Sequence, residues 1–170
     1  YVTINQGLAA LNDFSCLIIA KPDSAFDEKD KFIIDQFIMK GSKVLWLVNP
    51  MLATMDSLAK NNEFVSVPNP LNLDDMLFKY GVRLNNDLVM DIQSVPIPIL
   101  TGYIGNRPQN SLLPWYFFPL VTPDSKHPIV NNLNAIRFEF PSSIDVVGNS
   151  EVSKTILLTS SMYSKSVGSP

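Results

Sequence analysis

Short uninterrupted apolar runs alternate with amphipathic stretches over the first half of the chain. Cys16-Leu17-Ile18-Ile19-Ala20 is apolar without polar alternation, the pattern of a strand covered on both faces. Lys21-Pro22-Asp23-Ser24 ends it, and Ser24 is placed to cap a helix whose first turn carries Asp27 and Glu28. Phe26, Ile33, Ile34, Phe37 and Ile38 recur at helical spacing, which puts Glu28, Lys31 and Asp35 on the solvent face. Gly41 stands where a helix closes in a left-handed residue. Lys43 to Val48 repeats the covered-strand pattern and stops at Asn49-Pro50. Strand, helix and strand in this order predict a parallel, right-handed β-α-β unit.

The same grammar predicts a short helix over Leu52 to Ala59 and another over Leu71 to Tyr80. In the second, Leu73, Met76 and Leu77 share a face, Asp74 and Asp75 come early, and Gly81 follows. Asp87 to Asp91 reads as a third strand. The expectation is a single α/β domain over 1–170: an open, mostly parallel sheet flanked by helices, with a loop-rich second half. Downstream, Ile92 to Ile99 holds two prolines and is excluded as a central strand. Gly102 to Asn110 reads as a polar turn and Trp115 to Val121 as an extended aromatic segment. Lys126 to Asn132 is expected to form one helical turn introduced by Pro128. Ala135 to Phe140 alternates as a half-exposed strand does, and Lys154 to Ser160 closes the series as a strand. No linker separates two domains.

Composition removes whole classes of function. With 46% hydrophobic and 17% charged residues the chain is not disordered. Its 16 acids and 13 bases are unclustered, so the basic stripe of a nucleic-acid surface is missing. One cysteine makes no internal disulfide, and one histidine makes no His-rich metal site. The most apolar stretch, Leu112 to Val121, is about half the ~20 residues of a membrane-spanning helix. No signal peptide opens the chain. It begins abruptly at Tyr1 and reads as a piece of a longer protein.

Candidate chemistry is sparse. Cys16 lies in an apolar strand and reads as buried and inert; His127, the one available base, stands at a loop-to-turn junction before Pro128. The serine nucleophile elbow, both glycine-rich nucleotide loops and the acidic Ca²⁺ loop are absent, and Gly102 with Gly105 reads as a backbone turn. Asp74 and Asp75 suit a helix dipole, Asp87 and Asp91 fall on one side of a short strand, and Asp23, Asp27 and Asp30 are placed near one end of the sheet. No metal or cofactor is expected. Two binding surfaces remain. One is the carboxyl edge of the sheet, with Lys21, Asp23 and Ser24 after the first strand and Asn49 and Met51 after the second. The other is Trp115, Tyr116 and Phe117 with Phe118, which reads equally as an interface or as a cover over a core.

Several segments carry a resemblance. Ala20-Lys21-Pro22, an acidic helix and Gly41 to Pro50, then Tyr80 to Val89, His127-Pro128-Ile129-Val130 and Ile156 to Ser161 follow one another in an order and spacing similar to the auxiliary, substrate-binding component of gliding-motility-associated ABC transport systems (GldG-like). The resemblance spans about residues 15 to 163. It implies a flavodoxin-like or class I amidotransferase-like fold. It also implies a periplasmic, extracytoplasmic location, anchored to the inner membrane by segments outside this chain, and partners among ABC permease and ATPase subunits or other envelope proteins. The amidotransferases it points to place a nucleophilic cysteine at a strand-to-helix elbow. Here those turns, Lys21 to Ser24 and Asn49 to Met51, carry none, so a non-catalytic interaction domain is expected. The alternatives are a Cys-dependent hydrolase or amidotransferase-like enzyme using Cys16 and His127, and a purely structural spacer.

Overall fold

The computed structural model describes residues 2–5, 7–56, 65–124, 126–148 and 151–168. The chain forms two compact units interleaved along the sequence. The first comprises Tyr1–Leu52, Val67–Leu84 and Ile144–Val152, and the second Ala53–Ser66, Asn85–Ser143 and Ser153–Pro170.

The first unit is built on strand β1 (Cys16–Ala20), helix α1 (Glu28–Met39) and strand β2 (Lys43–Leu47). β1 and β2 pair in parallel, Cys16 opposite Lys43 through Ala20 opposite Leu47. The helix begins at Asp27, whose Oδ1 accepts the Asp30 N–H at 2.7 Å. Ser24, the expected cap, instead donates to its neighbour Asp23. The helix ends at Gly41 as expected, with φ +89° and its N–H donating to the Ile38 carbonyl. A second helix, α2 (Asp74–Lys79), follows the same rule, closing at Gly81 with φ +82°. Leu17, Ile33, Ile34, Phe37, Leu73, Met76 and Leu77 form one buried cluster, against which Trp46 packs; its ring meets Phe26 edge-on at 6.2 Å. Complete burial of a side chain such as Ile34 contributes about 1.5–3 kcal/mol.

Two expectations for this unit are corrected. Lys31 is not on a wet face but 6% exposed, because Asp75 on α2 reaches it. The strands are covered on one face only: Ile18 is 62% exposed, and Leu45 and Leu47 are each 49% exposed. Cys16 alternates onto that same bare face and is exposed rather than buried.

The open, mostly parallel sheet is not what forms. Among the described residues there are five small sheets, and β1–β2 is the one parallel pair. β3 (Met51–Leu52) pairs antiparallel with β4 (Val67–Pro68), and β5 (Val82–Leu84) with β10 (Ile144–Val146). In the second unit β6 (Asp87–Met90) pairs antiparallel with β11 (Lys165–Gly168). There too β7 (Ser94–Ile104), β8 (Arg107–Val121) and β9 (Ile136–Arg137) make an antiparallel three-stranded sheet. The reason is connectivity. A parallel pair needs a crossover of a dozen or more residues, and α2, which links β4 to β5, joins strands that pair antiparallel with β3 and β10 rather than with each other. The flavodoxin-like expectation falls with the parallel sheet.

The second half is likewise strand-rich rather than loop-rich. β7 and β8 form a long ribbon of 11 and 15 residues joined by Gly105-Asn106. Gly105 takes φ +60° at the first turn position, which a type II′ hairpin reserves for glycine. Ile92 to Ile99 does enter a strand, and its prolines are tolerated because β7 is an edge. Of the expected strand Ala135 to Phe140, only β9 is regular. Phe138 and Phe140 still donate to the carbonyls of Pro119 and Phe117, but Phe140 sits at φ +50°. Lys154 to Ser160 is not a strand; the pairing comes later, in β11. Of the expected helix over Leu52 to Ala59, Leu52 belongs to β3, Met55 and Asp56 are helical, and residues 57–59 lie outside the described residues.

Candidate functional site

In the first unit the carboxyl edge brings Lys21, Asp23 and Ser24 to the surface. Lys21 takes φ +46° and its N–H donates to the Leu47 carbonyl at 2.8 Å, which fixes the turn between β1 and α1. Asn49 lends its carbonyl to Asn69 Nδ2 at 3.1 Å. Met51 is 1% exposed, so its side chain belongs to the core. The N-terminus of α1 is already occupied by the Asp27 carboxylate, with Glu28 and Asp30 in its first turn. Acids there neutralise the positive end of the helix and disfavour an anionic ligand. The edge is a structured turn in which Lys21 is followed by the acids Asp23, Asp27 and Glu28.

In the second unit the aromatic run lies at a register shift between β7 and β8, where simple alternation breaks down. Phe118 is 3% exposed and meets the Phe140 ring edge-on at 5.2 Å, with the Arg137 guanidinium 5.3 Å from its ring centroid. Phe117 packs between Trp115, at 5.9 Å, and Phe140, at 6.1 Å. Phe118 and Phe140 belong to the core of the unit, with Trp115 and Phe117 half-buried beside them. Tyr116 points the other way and is 46% exposed.

Tyr116 follows, two residues past Pro114, an apolar strip on the β7–β8 ribbon that the sequence reading missed. Cross-strand partners share a face, and the register pairs Pro96 with Pro114, Pro98 with Leu112 and Leu100 with Asn110. All six are exposed, Leu112 at 68%. From Gln93 to Val121 the chain carries one charge, Arg107. Proline has no N–H, so Pro96 and Pro114 cannot form a hydrogen-bonded pair, and the backbone groups of every second residue from them point off the ribbon. Two of those outward positions on β7, Pro96 and Pro98, therefore lack a donor. The edge is closed to strand addition while the face stays open. The signal was in the sequence as prolines two residues apart within a charge-free extended run.

β6 begins with one clamp, Asp87, and a similar one, Asp91, follows directly after the strand. Asp87 accepts Ser143 N–H at 2.8 Å and Ser143 Oγ at 2.6 Å. Asp91, 2% exposed, accepts Ser161 N–H at 2.7 Å, Ser161 Oγ at 2.6 Å and Gln93 N–H at 2.9 Å. Burial works against the Asp91 charge, but these hydrogen bonds outweigh it and hold the carboxyl below the ordinary range. Both carboxylates are thus engaged in holding distant segments, not poised for acid–base work.

The remaining candidates divide between the two units. Cys16 belongs to the first unit and His127 to the second. His127 Nδ1 accepts the Ile129 N–H, and its carbonyl accepts from Val130 and Asn131, so it organises the turn before Val130. Among the described residues no group of three His, Cys, Asp or Glu side chains is placed to hold a metal ion, and no helix is long and apolar enough to cross a membrane.

The described residues form one β-α-β unit and four small antiparallel sheets, one of them carrying the exposed apolar ribbon. Over residues 1–170 it matches the family described as an ABC-type uncharacterized transport system, and it belongs to that family of auxiliary transport components. Among curated proteins no significant match is found. Its structure is similar to one titled mmIFT52 N-terminal domain, with a TM-score of 0.56 and 14% sequence identity, over 92% of this chain and 61% of that one. At that identity the likeness concerns the fold. The chain spans about three-fifths of the length of the structure it matches.

Proposed function

We propose that the chain is a non-catalytic, extracytoplasmic interaction domain of an ABC-type transport system linked to gliding motility, and that it docks on the transporter's subunits through the β7–β8 ribbon. The observation that carries the docking is the strip of Pro96, Pro98, Leu100, Leu112, Pro114 and Tyr116: exposed, contiguous and uncharged. Patches of that kind mark binding surfaces, because isolated soluble domains rarely leave them bare. The proline-blunted β7 edge and the proline-rich face favour a partner that packs side chains on the strip rather than adding a strand to β7. Family membership supports transporter subunits as the partners. The motility link and the location rest on the resemblance of the segments between about residues 15 and 163. The carboxyl-edge residues Lys21, Asp23 and Ser24 remain a secondary contact surface in this reading.

The test replaces Leu100 and Leu112 with aspartate and follows co-purification with the permease and ATPase of the same system. Loss of co-purification with an unchanged melting temperature supports the docking face. Retention of both subunits contradicts it.

A further inference from the structure

Residues 103–114 form the far end of the β7–β8 ribbon, and every one of them is exposed. Successive strand residues alternate between faces, so both faces of this hairpin end stand in solvent. Open space surrounds its glycines: a Cβ added at Gly102 or Gly105 would meet no atom within 4 Å. The ladder pairs Tyr103 with Pro108 and Ile104 with Arg107, so the two pairs occupy opposite faces. Thr101 sits in the irregularity between Leu100 and Gly102. Its hydroxyl donates to the Gln109 carbonyl at 3.3 Å and lies 3.1 Å from Ser111 Oγ, which ties the end to the rest of the ribbon.

The end is a wedge that is apolar on both sides. Tyr103 is 67% and Ile104 68% exposed; Pro108 adds to the tyrosine side, and the aliphatic stem of Arg107 to the isoleucine side. No acid lies between Asp91 and Asp124, and the one charge in that stretch, Arg107, stands beside the Gly105-Asn106 turn. A flat protein surface would cover one side of such a wedge, whereas the boundary layer of a bilayer surrounds both. In that layer a tyrosine keeps its ring inward and its hydroxyl among the headgroups, and a guanidinium pairs with lipid phosphate. Backbone groups of the turn need hydrogen-bond partners, which confines entry to headgroup depth, about 5–10 Å. That depth is about two to three residues of strand.

We infer that the tip of the ribbon, Tyr103 to Pro108, is a membrane-contacting wedge that enters the headgroup boundary of a phospholipid bilayer. Tyr103 and Ile104 insert, and Arg107 pairs with phosphate. The absence of acids along the whole ribbon suits a surface of phosphate groups, and the distant acids of the chain are screened beyond about 8 Å at physiological salt. Membership of a transport-system family supports a bilayer as the occupant. The inference does not depend on the docking strip. Leu112 and Pro114 lie about 14 Å or more along the strand from Pro108, beyond the depth of entry, so tip and strip can be engaged together.

The test floats the full chain with vesicles of phosphatidylethanolamine and phosphatidylglycerol at low and high salt. The inference predicts that the unaltered chain floats and that Ile104→Asp lowers its partition coefficient at least about tenfold, the scale of burying one isoleucine. Arg107→Gln gives a smaller loss, which high salt reproduces in the unaltered chain. Ile129→Asp, at an isoleucine 65% exposed outside the ribbon, keeps the unaltered partition. A Tyr103→Trp chain gains emission that lipids brominated near the headgroup quench, a reading that decides the matter if Ile104→Asp does not fold. No flotation of the unaltered chain overturns the inference, as do equal losses for Ile104→Asp and Ile129→Asp, or unquenched emission from position 103. A chain that ignores vesicles, yet loses the permease or ATPase on Ile104→Asp, overturns it in favour of a groove on a protein.

Discussion

Lys31 on α1 and Asp75 on α2 are joined by a forked ion pair, the buried Nζ donating to both carboxylate oxygens at 2.8 and 3.0 Å. Glu28 completes the site at 2.8 Å, so a lysine that is 6% exposed has its charge matched across the helix pair. Burial presses the Lys31 pKa down, but hydrogen bonds to Asp75 and Glu28 prevail and raise it. The Lys31 hydrogen bond likewise leads in holding Asp75 below the usual carboxylate range.

Removing one partner should therefore be worse than removing the charge at its centre. Asp75→Ala leaves a buried ammonium with Glu28 alone, whereas Lys31→Met keeps the aliphatic stem and eliminates the charge. Urea denaturation is expected to give a lower midpoint for Asp75→Ala than for Lys31→Met. Because the folded pKa of Lys31 is raised, its contribution is complete below the unfolded value of about 10.4 and fades as pH rises through the folded one. The difference between Lys31→Met and the unaltered chain should shrink in that alkaline range.

The helix start supplies a second check. Asp27→Ala is expected to cost about 1 kcal/mol, the typical loss of an N-cap, while Ser24→Ala stays within about 0.5 kcal/mol. Equal effects in thermal melts would return the cap to Ser24.

Phe140 combines a 6% exposed ring with φ +50°, a conformation that favours glycine. Phe140→Ala is expected to destabilise by about 3–5 kcal/mol through the cavity it leaves. Phe140→Gly should be the milder of the two, reversing the usual order, because it relieves the backbone while losing the same ring. Alanine proving more stable than glycine in calorimetry would contradict the strain.

Asp91 predicts acid sensitivity confined to the segment it clamps. Its folded pKa lies below the unfolded value of about 3.9, so its contribution is present above that value and lost as pH falls through the folded one. Amides of Lys165 and Val167 should lose exchange protection in that acid range before those of Phe118, Leu120 and Val121. Asp91→Asn should show weakened protection of the segment at neutral pH and no further acid step.

The β-α-β start was legible because its signals are local: Ile33, Ile34 and Phe37 at helical spacing, Gly41 at the end, apolar runs on either side. What followed was not, because pairing depends on partners far away in sequence. Asp87 to Met90 reads as a strand in isolation, but nothing near it announces that its neighbour is Lys165–Gly168. Cys16 was misplaced for the same reason: an apolar run does not say whether one face or two will be covered, and here one face is bare. Lys31 looked solvated because the acid that buries it lies 44 residues away. The ribbon was obscured by its prolines, which argue against a central strand but are compatible with the outward positions of an edge.

Site-specific photocrosslinking from position 112, in the intact transport system and in its native membrane, tests the docking face most directly. The account predicts a covalent adduct between position 112 and the permease or ATPase of the same system, weaker adducts from position 24, and loss of the position-112 adduct when Leu100→Asp is introduced. Adducts from position 24 without any from position 112, or adducts from position 112 that never include a subunit of the transporter, would contradict it.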